Sequence, residues 1–303
     1  MFLRRVTRRN FLRELHLISS VLRRLVSPVI FLDTEFPGTI HRPTKHHAAL
    51  SPAERYALIL ANVDDLRPIQ VGLTLSDSCT GGVDYFTWEF DLCDFDPRRH
   101  PHAPESIALL ESSGMDFDRL RREGVPSTWL ARLLFDVGLI GGGLSATWVA
   151  FQGGYDFGFL MKMVTRSLPA TLADFLGLAR GWFGSKIYDV KCLMRGCHGL
   201  YGGLERVAAQ LGVERTAGKN HQAGSDSLLT CKIFFRMKEI YFHGRDDKAA
   251  ASDQDKAAGD LVSYEGVLAG LETDVCSPPL IQFVHRRPAV PGFSYVLPHI
   301  CSF

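Results

Sequence analysis

The sequence predicts an α/β protein with a five-stranded mixed sheet flanked by helices on both faces, and three stretches carry that expectation. The apolar, partly β-branched run 29–32 leads into Asp33-Thr34-Glu35 and stops at Pro37-Gly38, which reads as a buried strand ended by a turn. Two β-type segments, 68–75 and 83–92, flank a Ser-Asp-Ser-Cys-Thr-Gly-Gly stretch and read as a hairpin-like pair. The apolar run 146–151 is followed by Gly153-Gly154 and a helical run through Met163; strand, glycine turn, helix is the α/β pattern. Taken together, the first strand and the hairpin suggest a mainly antiparallel sheet whose central member carries Asp33 and Glu35.

The remaining elements follow in order. Phe11, Leu12, Leu15, Ile18, Leu22 and Leu25 recur at helical spacing, so the arginine-rich start (Arg4, Arg5, Arg8, Arg9, Arg13) is expected to lead into a packed first helix rather than to act as a presequence. Ser51-Pro52-Ala53-Glu54 opens a helix through about Leu66, since serine caps and proline suits the first turn. His46 and His47, adjacent in a polar loop without matched acids, are expected to be solvated. Further helices are expected from Pro104, over 116–123 and over 127–139, the last with Trp129, Leu130, Leu133 and Leu134 toward the core. Residues 186–190 read as an edge strand, 204–211 as a short helix, and Asp226 stands near the start of a long helix running past Phe235. From 244 to 260 the composition turns to Asp, Lys, Ala, Gly and Ser, the signature of a solvated loop. Residues 1–272 are expected to form the functional domain and 273–303 a variable tail.

Composition excludes little but excludes it clearly. The chain of 303 residues has a formal net charge of +1, so no global basic field announces nucleic acid, although bound metal ions can supply positive charge locally. Seven cysteines, scattered and without a Cys-x-x-Cys pair, point to free, mostly buried thiols rather than a disulfide framework or zinc site. The longest uncharged run, near 137–155, contains Gly141-Gly142-Gly143 and Gly153-Gly154, which breaks it into helix, turn and strand; no membrane span is expected.

Chemistry is concentrated in four acids at element junctions. Side chains alternate along a strand, so Asp33 and Glu35 face the same way about 7 Å apart. Two carboxylates at the end of an apolar strand repel each other and lose hydration, and a bound divalent cation is the usual remedy. Asp156 stands at a strand-to-helix turn and Asp226 near a helix start, with His221 five residues before it. Singly, each of the latter two acids could simply complement a helix dipole. It is the ordered set Asp-x-Glu, Asp, His-x4-Asp that is specific.

With that set in place, the sequence resembles the DEDD exonucleases that carry a histidine in the last motif, and more closely the Caf-one/Pop-two family of poly(A) deadenylases. The stretches that carry the resemblance are DTEFPG at 33–38, NVDDLRPIQVGLTL at 62–75, GGYDFGFLMK at 153–162, IYDVKCLM at 187–194 and HQAGSDSLLT at 221–230. Gln152 and Gly153 depart from the more polar neighbours usual before Gly-Tyr-Asp, and the glycine-rich 139–145 stretch and the tail depart as well. The resemblance implies a ribonuclease-H-like fold and a 3'-to-5' exoribonuclease that shortens mRNA poly(A) tails and releases AMP. It also implies residence in cytoplasm and nucleus, and assembly with the scaffold and other subunits of the carbon-catabolite-repressor/Not complex.

By the same resemblance, Asp33, Glu35, Asp156 and Asp226 hold two divalent cations, with Asp33 as the bridge. Oxygen ligands favour Mg2+ or Mn2+. His221 would be the general base for the attacking water, histidine being the side chain whose ordinary charge change falls nearest neutral pH. Single-stranded RNA is gripped by stacking on aromatic rings; Phe36, Tyr155 and Phe157, each beside a catalytic acid, are candidates for that role or for the core. Two other readings stand beside this one: a related exonuclease acting on other RNA or DNA 3' ends, and a catalytically weak adaptor bridging subunits of a deadenylase complex.

Overall fold

The computed structural model describes residues 3–242 and 260–273. Its strands are β1 (Leu3–Val6), β2 (Pro28–Glu35), β3 (Gln70–Asp77), β4 (Tyr85–Asp91), β5 (Thr147–Ala150) and β6 (Ile187–Asp189). Its helices are α1 (Phe11–Leu22), α2 (Pro52–Asp65), α3 (Pro104–Ser112), α4 (Phe117–Glu123), α5 (Ser127–Asp136), α6 (Gly154–Thr165), α7 (Leu172–Phe183), α8 (Val190–Leu193), α9 (Leu204–Gln210) and α10 (Ala223–Tyr241). The sheet has six strands in the order β1-β4-β3-β2-β5-β6. The ribonuclease-H-like α/β architecture therefore stands, with one strand more than expected. The sheet is also less antiparallel than expected. Only β2–β3 and β3–β4 run antiparallel, while β1–β4, β2–β5 and β5–β6 are parallel.

The additional strand is the arginine-rich start of the chain. Leu-Arg-Arg-Val does not read as a strand, because two charges in four residues leave no apolar face. The arginines are nonetheless accommodated by acids on neighbouring elements. Arg4 pairs with Glu14 of α1 at 2.5 Å, a carboxylate that also accepts from the Trp88 indole N–H at 3.1 Å. Arg5 lies 3.2 Å from Glu89 and 3.3 Å from Asp91 of β4, both buried. Burying one partner of such a pair without the other leaves an uncompensated charge, so β1 and β4 dock together.

Alternation along β2 divides the core into two layers. Ile30 and Leu32 face a layer that includes Tyr56, Ile59 and Val63 of α2, Phe157 and Leu160 of α6, and Phe175 of α7. Val29 and Phe31 face the opposite layer with Ile233, Phe234 and Phe235 of α10; the Phe31 ring centroid lies 5.7 Å from each of the two phenylalanine rings. Helices thus cover both faces, and β2, buried on both sides by residues worth about 1.5–3 kcal/mol each, is a rigid stem for Asp33 and Glu35. A satellite cluster of Ile69, Phe95, Ile107, Leu110, Met115, Phe117 and Leu120 seats α3 and α4.

Capping explains why α2 starts where it does. Ser51 Oγ accepts from the Glu54 backbone N–H and Glu54 bonds back to the Ser51 N–H, a complete capping box with Pro52 in the first turn. Helix α7 is left unassigned by the sequence patterning, because Gly177 and Gly181 lower its intrinsic helicity. Its buried face of Leu172, Phe175, Ala179 and Phe183 supplies what propensity does not. Trp129, expected in the core, is 45% exposed and lies tilted against the Phe11 ring at 5.4 Å, whereas Leu130, Leu133 and Leu134 are buried as expected. The long uncharged stretch resolves into glycine turns, β5 and α6, and no helix among the described residues is long and apolar enough to cross a membrane. Among the described residues five cysteines are free. The expected loop at 244–260 and tail at 273–303 lie outside the described residues but for Asp260 and Thr273.

The seat of α10 does most to position the acids. Its N-cap residue, Gln222, offers no capping side chain, so the first N–H groups of the helix need other acceptors. Buried side chains of the sheet provide them: Gly224 N–H donates to Glu89 Oε2 at 3.2 Å and Ala223 N–H to Gln70 Oε1 at 3.4 Å, while Gln70 Nε2 donates to Asp91 at 2.7 Å. The helix end can come this close only because residue 72 is glycine. A Cβ there would sit 1.9 Å from the Ala223 carbonyl oxygen. Gly72 pairs with Asp33 across the β2–β3 register, so the helix head that carries Asp226 is brought down beside the strand that carries Asp33.

Candidate active site

Asp33 and Glu35 occupy the end of β2, on the Val29 and Phe31 face and beneath the head of α10. Both are half-buried, recessed yet open to solvent. Thr34, between them, points to the other face, where its hydroxyl donates to Asp156 Oδ1 at 2.6 Å. The strand therefore presents two carboxylates on one side and fixes a third from the other.

Asp156 lies in the first turn of α6, 7% exposed. The turn that delivers it is held by Asp189, the acid of the IYDVKCLM stretch. Asp189 is buried and accepts four backbone N–H groups, from Gln152 at 2.9 Å, Lys191 at 2.9 Å, Gly153 at 3.0 Å and Ala269 at 3.0 Å. Gln152 adopts φ 62°, a left-handed conformation costly for a side-chain-bearing residue. The two positions that depart from the family pattern, Gln152 and Gly153, thus contribute backbone amides here, and the amides are clamped.

The third part of the site comes from the α9–α10 loop and the head of α10. His221 also lies at positive φ, 59°, with its N–H accepted by Asn220 Oδ1 at 3.0 Å. Asp226, in the first turn of α10, is 6% exposed. Ligating atoms of Glu35, His221 and Asp226 all lie within 4.8 Å of one another. Arg215 enters from the same loop and brings Nη2 to 2.6 Å from Asp226 Oδ1. The contact sets a guanidinium against a buried carboxylate of the cluster.

Electrostatics follow from this crowding. Burial, and then the charges of Asp226 and Asp156, push the Asp33 and Glu35 carboxyls well above the ordinary range, with Arg215 opposing. Burial raises Asp156 to about 7 despite the Thr34 bond that favours its ionised form. Burial also raises Asp226, against the pull of Arg215. Groups whose folded-state pKa is raised stabilise the fold below their unfolded value and lose that contribution as pH rises through the folded value. The metal-free protein is therefore expected to lose stability from Asp156 as pH rises between about 4 and 7, and Asp33, Glu35 and Asp226 act in the same direction. A divalent cation reverses the sign, because it binds the ionised form. The gap in melting temperature between Mn2+-loaded and EDTA-treated protein should widen from pH 6 to pH 8; a gap independent of pH would show that the carboxylates do not take up the cation.

All five sequence-predicted polar residues meet at one end of the sheet. Glu35, His221 and Asp226 form the tight group, and Asp33 and Asp156 act on it through their charges. The donor set suits a hard divalent cation: carboxylate oxygens with one imidazole. Of the two roles expected for the aromatic residues, Phe157 takes the core one. Phe157 is fully buried, edge-on to Trp148 and packed on Phe183 at 5.2 Å, because its place in α6 turns it toward the sheet; it cannot reach RNA. Phe36 and Tyr155 are partly buried and stacked with centroids 5.0 Å apart and planes 26° apart, with Phe159 behind them. Sequence reasoning missed Arg215, Thr34 and Asp189. A lone arginine in a loop carries no signal, whereas Thr34 could have been read from its position between two acids that face the other way.

Comparison with known proteins finds relatives along almost the whole chain. The model of the CAF1 family ribonuclease matches residues 6–129. A probable CCR4-associated factor 1 homolog 10 of Arabidopsis thaliana is 39% identical over 280 residues, covering 89% of this chain and 92% of that protein. Poly(A) ribonuclease pop2 of Schizosaccharomyces pombe is 39% identical over 242 residues, covering 78% of this chain and 70% of that protein. The solved structure of S. pombe Pop2p in its Mg2+- and Mn2+-bound form matches with a TM-score of 0.74 at 35% identity, over 89% of this chain and 99% of that one. The structure of yeast NOT1 MIF4G domain co-crystallized with CAF1 matches with a TM-score of 0.66 at 26% identity, over 88% of this chain and 96% of that one. Identity of this order along almost the whole length establishes descent, and the chain belongs to the CAF1 ribonuclease family.

Proposed function

We propose that the protein is a divalent-cation-dependent 3'-to-5' exoribonuclease that shortens poly(A) tails and releases AMP. The observation that carries the reading is the convergence of Glu35, His221 and Asp226 within 4.8 Å at a strand end that also bears Asp33. Two cations, Mg2+ or Mn2+, would neutralise the phosphoryl oxygens, lower the pKa of a bound water and stabilise the leaving 3'-oxygen. Asp33, Glu35, Asp156 and Asp226 are the residues that would hold them.

The chain's own groups would do the rest. His221, on its loop, takes the proton from the attacking water. Thr34 fixes the rotamer of Asp156 through its 2.6 Å bond, and Asp189 fixes the turn from which Asp156 projects. The Phe36–Tyr155 stack offers an aromatic surface beside Glu35 for the terminal base, since stacking holds single strands without reading sequence. Preference for adenosine rests on kinship with the S. pombe poly(A) ribonuclease. Kinship with the CAF1 chain solved with the NOT1 MIF4G domain supports assembly with the scaffold of the carbon-catabolite-repressor/Not complex. Residues 1–272 are proposed to carry the activity and 273–303 to be a variable addition.

The test is a 5'-labelled RNA ending in about twenty adenosines (the length being a design choice to span a single-strand site of several nucleotides), incubated with Mg2+ or Mn2+ and, separately, with EDTA. A ladder shortening from the 3' end, slowing at the first non-adenosine and absent with EDTA, is expected. Equal shortening of non-adenosine tails would reduce the reading to a general 3' exonuclease. No shortening with either cation would overturn it in favour of an adaptor.

A further inference from the structure

Arg215 has no role in the proposed hydrolysis, yet it reaches into the acid cluster. Its side chain is 15% exposed and that of Asp226 is 9% exposed. Nη2 lies 2.6 Å from Asp226 Oδ1 and also against Glu205, whose side chain is 51% exposed. Nη1 donates to Ser225 Oγ, and to the Lys219 carbonyl at 3.3 Å. The guanidinium is thus tethered on three sides by groups that are not part of the acid cluster. On the fourth it meets Asp226 Oδ1, an oxygen of the acid cluster itself. Arginine satisfies a carboxylate best through a two-bond fork, and here Nη2 is the nitrogen that meets Asp226, with Nε given to Glu205 and Nη1 to Ser225 and the Lys219 carbonyl. A guanidinium held in place by other groups and touching one oxygen of the acid cluster is placed as a stand-in for another cation.

We propose that Arg215 is a built-in counter-ion for the metal site: it neutralises Asp226 while no divalent cation is bound and competes with the cation for that carboxylate. The proposal rests on the nuclease reading only in taking Asp226 as a metal ligand. Four carboxylates at one strand end would repel one another in the empty site, and a fixed positive charge close by relieves that repulsion. The same charge must then be displaced or out-competed when the cation arrives, because both occupy the field of one oxygen. Glu205 works in the opposite sense, drawing the guanidinium away from Asp226. The pair sets the free cation concentration at which the site fills.

Competition of this kind has signs that a merely structural ion pair does not have. Mn2+ titrated calorimetrically into the metal-free full-length protein should bind about tenfold more tightly in Arg215→Gln than in wild type, a coupling within the usual range between linked sites. Glu205→Gln should weaken Mn2+ binding by roughly fivefold, since Asp226 is then the one carboxylate left to the guanidinium. Arg215→Lys, which keeps the charge, should stay near wild type. In melting experiments Arg215→Gln should destabilise the metal-free protein more than the Mn2+-loaded protein, widening the shift that Mn2+ produces. Equal losses in both forms, or Mn2+ affinity unchanged or weaker in Arg215→Gln, would overturn the proposal. Should Arg215→Gln fail to fold, the half-exposed Glu205→Gln carries the test, and unchanged or tighter binding there would overturn it. Failure of the wild-type protein to bind Mn2+ at all is a different outcome: it would overturn the nuclease reading and the proposal together.

Discussion

Replacing Asp33 by asparagine is expected to abolish RNA shortening while making the metal-free protein more stable. The first effect follows from the place of Asp33 at the end of β2, where its carboxylate adds to the field of Asp226, Asp156 and Glu35. Removing that charge weakens cation binding and with it several kcal/mol of transition-state stabilisation, so a loss of roughly 1000-fold or more in kcat/KM is expected. The second effect follows from the same crowding. An acid whose ionisation is opposed by burial and by three neighbouring acids destabilises the fold near neutral pH, and the neutral amide relieves this. A rise of roughly 2–4 °C in the melting temperature of EDTA-treated protein corresponds to about 1 kcal/mol in a domain of this size. Activity loss together with a fall in stability would mean instead that Asp33 holds the fold.

His221→Ala is expected to lower kcat by about 100- to 10,000-fold at near-constant KM, the usual worth of a positioned general base. Backbone conformation complicates the choice of variant. His221 sits at φ 59°, where any residue with a Cβ is strained and glycine is not. His221→Gly therefore separates the imidazole from the loop it shapes. Both variants should lose the same activity if the ring is what matters. Recovery of the rate in His221→Gly would assign the histidine a conformational role and remove it from proton transfer. Because its ring is also within ligand distance of Glu35 and Asp226, Mn2+ affinity should be measured alongside; a general base leaves that affinity near wild type.

The residues of the site are legible because their chemistry is local in sequence. An apolar strand ending in Asp-x-Glu, an acid after a glycine turn and a His-x4-Asp stretch each sit within a few positions, and β-strand alternation alone puts Asp33 and Glu35 on one face. What is not legible depends on partners far away in the chain. The strand Leu3–Val6 is stabilised by Glu14, Glu89 and Asp91, none of which its own four residues announce. Strand direction escapes for a related reason: hairpin patterning shows local antiparallel pairs, while the parallel pairs of β1, β5 and β6 are made across long connections. Phe157 is a neighbour of Asp156 in sequence, but on a helix the next residue turns about 100° away, and here it turns into the core. Arg215 acts on Asp226 from a loop eleven residues earlier, a separation that carries no periodic signal.

The claim that the strand end is a divalent-cation site is tested most directly by diffraction at the manganese edge from crystals grown with Mn2+. Two anomalous peaks enclosed by Asp33, Glu35, Asp156 and Asp226 are expected, with the Arg215 guanidinium withdrawn from Asp226. Absence of any peak within reach of these carboxylates, with Arg215 still seated on Asp226, would contradict it.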